Sequence, residues 1–118
     1  MKIGKIRQLL DAKILCGADK QEEEVFSACG SDMMSDVLAF VKDQAVLITG
    51  LLNLQTVRTA IMMDMKCIVF VRGKMPDPAT VELGEENGLV LMTTEYRMYQ
   101  ACGRLYQNGL FTEGSDKV

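Results

Sequence analysis

The chain has 118 residues, 48% of them hydrophobic and 25% charged, with a net charge of −3. That is room for one domain and one core; the charge argues against a nucleic-acid footprint, and no uncharged apolar run is long enough for a membrane span. There is no histidine, which removes Ser-His-Asp and Cys-His triads, HExxH metal sites and imidazole acid–base chemistry together.

Taken in chain order, Ile3, Ile6, Leu9 and Leu10 recur at helical spacing and predict a short first helix. Its charged, amphipathic start lacks the apolar core of a signal peptide, so a cytoplasmic location is expected. Lys13 to Cys16 reads as a strand closed by Gly17, Ala18 to Glu24 as an exposed acidic loop, and Val25 to Cys29 as a second strand ended by Gly30. Ser31 or Asp32 is placed to cap the next helix, whose apolar face is Met34, Val37, Leu38 and Val41. Lys42-Asp43-Gln44 connects it onward.

From there the chain is periodic. Ala45 to Thr49, Cys67 to Val71 and Leu89 to Thr93 are near-continuous apolar runs whose starts lie 22 residues apart, then 22 again. Each is too short for a helix and suits a strand covered on both faces. After the first, Asn53 caps a helix to about Met65 with Leu54, Val57, Ile61 and Met65 inward. After the second, Asp77 caps a helix with Pro78 at its first position, ending at Asn87-Gly88. After the third, Thr93 or Thr94 starts the last helix, which carries Met98, Cys102 and Leu105 on one face and ends at Asn108-Gly109.

The expected fold is therefore α/β and three-layer-like. Its mostly parallel sheet is built from three consecutive βα units, with a short N-terminal helix and two further strands that either extend the sheet or form a separate hairpin. One domain covers residues 1–111, and 112–118 form a flexible tail.

An open parallel sheet places ligands beyond the carboxyl ends of its strands. Here that edge comprises Thr49, Gly50 and Asn53; Arg72, Gly73 and Lys74; and Thr93, Thr94 and Glu95. Three helix N-termini and Arg72 favour an anion such as phosphate or carboxylate. Yet the caps and glycines also serve as ordinary loop residues, and neither GxGxxG nor GxxxxGK[ST] occurs. The four cysteines, Cys16, Cys29, Cys67 and Cys102, form no CxxC pair and read as small buried apolar residues, so no metal and no cofactor is expected. The best candidate nucleophile is Cys29, beside the Ser31 helix start. Met33-Met34 and Met62-Met63 are adjacent pairs that one narrow helix face cannot hold; they are core filler, or one of each lies at a contact between chains. Tyr96, Tyr99 and Tyr106 would suit such a surface equally.

The stretch Ser31-Asp32-Met33-Met34-Ser35-Asp36-Val37-Leu38, with Val46-Leu47-Ile48-Thr49-Gly50, Cys67 to Gly73 and Gly88 to Thr94, resembles the DRTGG domain, an accessory module of some phosphotransacetylases and CBS-domain pyrophosphatases. It is similar also to the N-terminal domain of HPr kinase/phosphorylase. The Asp-Arg of the family name falls where this chain has Leu52-Asn53, and the Thr-Gly-Gly falls near Val71-Arg72-Gly73, leaving the glycine. The resemblance is to stand-alone forms from anaerobic bacteria, sometimes encoded near iron hydrogenase or serine-kinase-like genes. It implies a regulatory role without catalytic residues, self-association as a homodimer, and a protein partner in a redox or kinase-linked system. The alternative expectation is a small-anion or nucleotide sensor at the sheet edge.

Overall fold

A computed structural model of the chain describes residues 1–40 and 45–111. The elements are α1 (Ile3–Leu9), β1 (Lys13–Cys16), a 3₁₀ turn (Ala18–Lys20), β2 (Ser27–Gly30), α2 (Met34–Phe40), β3 (Ala45–Thr49), α3 (Leu54–Met62), β4 (Cys67–Phe70), α4 (Pro78–Glu86), β5 (Val90–Thr93) and α5 (Met98–Gln107). Val41, the 42–44 connector and the 112–118 tail lie outside the described residues. No helix is long and apolar enough to cross a membrane among the described residues.

The five strands form one sheet in the order β1-β5-β4-β3-β2. β2, β3, β4 and β5 are parallel, while β1 runs antiparallel beside β5. The two N-terminal strands are therefore at opposite edges, and the hairpin alternative is excluded. β2–α2 is a further strand–helix unit ahead of the three read from the repeat.

Alternate residues of each central strand go to opposite faces. Val46, Ile48, Cys67, Val69, Val90 and Met92 meet Ile3, Ile6 and Leu10 of the α1 segment and Ala101 and Leu105 of α5. Leu47, Ile68, Phe70 and Leu91 meet Val37 of α2 and Val57 and Ala60 of α3. Crossovers of one hand that step along a sheet in one direction leave their helices on one face, so α2, α3 and α4 share a side and α5 crosses to the other.

Several boundaries differ from expectation. β2 begins at Ser27 because Val25, fully buried, joins the core through a backbone bond to Met1 instead of pairing with β3. α3 stops at Met62, and its inward stripe is Thr56, Val57, Thr59 and Ala60, one step round from the predicted stripe. On α2, Val37 is buried but Leu38 is exposed. α5 begins at Met98, not at Thr93 or Thr94, because residues 94–97 are tied elsewhere: Thr94 Oγ1 donates to Leu10 O at 2.6 Å and Tyr96 O accepts from Arg72 N–H at 2.8 Å.

The helix ends share one device. In α1, α3, α4 and α5 a left-handed residue follows the C-cap: Asp11, Asp64, Gly88 and Gly109. The next residue returns its N–H to a helix carbonyl, as Met65 does to Ala60 at 2.9 Å and Leu110 to Leu105 at 3.0 Å. That next residue is buried in each case (Ala12, Met65, Leu89 and Leu110), so the cap also anchors the outgoing chain. Asp64 adopts φ 55° with a side chain that disfavours it. Asp64→Gly is expected to raise stability by about 0.5–1 kcal/mol, seen as a higher urea midpoint at unchanged slope.

Candidate functional site

Four parallel strands, not three, end at the carboxyl edge. The addition of β2 brings Asp32 there, two residues past Gly30. Its carboxylate oxygen Oδ1 accepts from Thr49 Oγ1 at 2.9 Å and from Gly50 N–H at 2.7 Å. Ser31 Oγ takes the local turn role, accepting from Met33 N–H at 2.9 Å. From its place in the sequence Asp32 is a possible helix cap. Its partners on β3 are visible only once β2 is known to lie parallel to that strand.

Two cations converge on Gly50. A Cβ at position 50 would stand 2.6 Å from Arg72 Nη2 and 3.6 Å from Asp32 Oδ1; the missing side chain is what lets the guanidinium lie there. Lys74 Nζ donates to Gly50 O at 3.3 Å. Arg72 holds φ 63°, pinned by its own N–H to Tyr96 O and by Gly73 N–H to Thr94 O at 2.7 Å. Gly73, also left-handed at φ 66°, lies under the Glu95 carboxylate, whose Oε1 is 2.7 Å from where a Cβ would sit. Among the described residues the Arg72 guanidinium makes no hydrogen bond or ion pair.

The Asp32 carboxyl is held below the usual carboxylate range. The Gly50 N–H contributes most; burial opposes the shift, and Thr49, Arg72 and Lys74 assist it. With the folded pKa below the unfolded value of about 3.9, the stabilisation from this contact is complete above that value and is lost as pH falls through the folded pKa.

The other predicted edge residues gather here with their side chains already engaged. Asn53 Oδ1 caps α3, accepting from Thr56 N–H at 3.0 Å. Thr93 Oγ1 donates to Lys74 O at 2.7 Å, which fixes the loop that carries the lysine. Thr94 is buried and faces Leu10, so it braces the loop from behind. Thr49 donates to Asp32 and accepts from Leu51 N–H. The donors facing outward are thus Arg72 and Lys74, with Gly50 N–H held by Asp32.

Cys29 does not have the environment of a nucleophile. Burial pushes its thiol pKa up, and Cys102 and Asp36 push it the same way, so the expected lowering by the helix start is overridden. Cys16 and Cys67 are buried, and Cys29 and Cys102 half-buried. Cys29 packs on the α2–α3 side of the sheet and Cys102 on the α5 side. In each methionine pair one member projects: Met33 and Met62 are 61% and 68% exposed, and Met34 and Met63 are half-buried.

A second surface lies on α5. Tyr96, Tyr99, Gln100, Gly103, Tyr106 and Gln107 help to line a groove of about 590 Å³. Tyr99 is 91% exposed, and a Cβ on Gly103 would meet nothing within 4 Å. Arg104 also lines the groove, donating from Nε to Leu9 O at 2.7 Å and stacking 4.8 Å from the Tyr96 ring centre.

The DRTGG domain family model matches residues 5–108. No curated protein matches the chain. Among solved structures, the chain is similar to the CBS and DRTGG domains of the regulatory region of Clostridium perfringens pyrophosphatase, complexed with its activator diadenosine tetraphosphate. The TM-score is 0.73 at 17% identity, over 90% of this chain and 46% of that one, so this chain spans less than half of that structure. The matched region is a regulatory one, not a catalytic domain.

Proposed function

Since the chain belongs to the DRTGG domain family, we propose that it is a non-catalytic regulatory module that acts through association with a second copy of itself. The observation that carries the regulatory role is the match over residues 5–108, with a similar fold inside a pyrophosphatase regulatory region. Self-association is supported by the outer face of α5. Apart from Arg104, which is held against Leu9 O and the Tyr96 ring, the lining residues Tyr99, Gln100, Gly103, Tyr106 and Gln107 carry no formal charge, so most of this face is neutral. Gly103 leaves room for a second helix to approach, and the tyrosines flank it as amphipathic anchors.

Sedimentation at high micromolar concentration is expected to give a dimer. Tyr99→Glu is expected to weaken it by about 2 kcal/mol, roughly thirtyfold. A strict monomer at that concentration would remove the reading.

A second reading, a small-anion or nucleotide sensor, is favoured by Arg72 and Lys74 converging on Gly50. The neighbouring regulatory region carries a nucleotide activator, which makes phosphoanhydrides the natural first ligands to try. The reading requires that any such binding depend on Arg72.

A further inference from the structure

We propose that Asp32 is a resident competitor in the anion cradle at the end of β3, and that a phosphate or pyrophosphate group enters by displacing it. The inference rests on the anion-sensor reading of this edge and adds how that site is regulated.

The cradle already holds an anion. One oxygen, Asp32 Oδ1, takes both the Gly50 N–H and the Thr49 O–H. Arg72 lies over the same glycine and Lys74 is bonded to its carbonyl. A phosphoryl oxygen offers the same acceptor to the same donors. It also brings further oxygens for the Arg72 guanidinium, which can bind them bidentately. Glu95, over Gly73, and Asp77, the cap of α4, are further carboxylates at this edge.

The competitor is built to leave. Asp32 is exposed, and the helix behind it, α2, buries only Val37 among its described side chains. Swinging the turn out therefore uncovers little apolar surface. In the free chain the tether keeps the carboxylate at a high effective concentration, so an outside anion binds only in the fraction of molecules whose turn is open. Occupancy of the cradle is thereby coupled to the position of α2, as a regulatory module requires.

The test is a calorimetric titration of the full chain with inorganic pyrophosphate at neutral pH. Asp32→Ala is expected to bind at least about tenfold tighter than the wild type. Asp32→Asn, which keeps an acceptor but not the charge, should fall between them. Adding Arg72→Ala to Asp32→Ala should abolish the gain. If the wild type binds through Arg72 as tightly as Asp32→Ala, the anion site stands and the competitor role falls; if neither protein binds, both fall. Carbon NMR of the wild type gives a readout free of folding defects. Pyrophosphate should move the Asp32 carboxyl resonance toward that of free aspartate, and a stationary Asp32 signal beside shifting Arg72 signals would overturn the proposal.

Discussion

Replacing Phe70 with alanine is expected to lower stability by about 3–5 kcal/mol. Phe70 is fully buried on β4, the middle strand of the sheet. It is paired on both sides, with Thr49 of β3 and Thr93 of β5. Its ring lies in the cluster that Val57 and Ala60 of α3, Leu47 and Leu91 also form. A strand hydrogen-bonded on both flanks cannot move inward to fill the void, so both the transfer loss and the cavity are felt in full. A small domain holds only about 5–15 kcal/mol in all, which makes this a large fraction. Phe70→Leu keeps most of the volume and should cost about 1 kcal/mol. Urea unfolding followed by circular dichroism measures both, as a shift in midpoint at constant slope. A loss below 1 kcal/mol for the alanine variant would mean that α3 and α4 close over the gap.

Gly17→Ala is expected to cost about 2–4 kcal/mol, against about 1 kcal/mol for Gly109→Ala. Both glycines have positive φ, at 85° and 102°, so both variants incur the left-handed strain of an L-residue. They differ in what surrounds the new carbon. At Gly17 a Cβ would stand 2.9 Å from Leu89 O and from Val90 Cα. Those are backbone atoms at the start of β5, and moving them disturbs its pairing with β1 and β4. At Gly109 nothing lies within 4 Å. The difference between the two variants therefore isolates steric overlap from conformational strain, and equal losses would show that overlap contributes nothing.

The parts of this fold legible in the residues are those whose physics is local. The runs Ala45–Thr49, Cys67–Val71 and Leu89–Thr93 are apolar on both faces, and such short runs between helix caps form covered parallel strands. Asn53 and Asp77 each satisfy an N–H three residues on, and Gly88 supplies a left-handed residue just past the α4 C-cap. The edge of the sheet as a gathering place follows from the same pattern, and so did the family, through the stretches around Ser31–Leu38 and Val46–Gly50.

The position of β2 was not written in its own four residues. Ser27 to Gly30 alternates too weakly to choose a partner, and its pairing with β3 is decided by what the whole sheet leaves uncovered. Asp32 follows from that choice: as a helix cap it is unremarkable, and only beside Thr49 and Gly50 does it become an anion held among cations. The start of α5 shifted for a related reason, since Thr94 is claimed by Leu10, 84 residues away. Cys29 lost its expected reactivity in the same way, because burial is a property of the packed chain and not of its neighbours in sequence. Spacing and capping act over three or four residues and can be read along the chain, whereas the choice among hydrogen-bond partners far apart in sequence is made by the packed sheet.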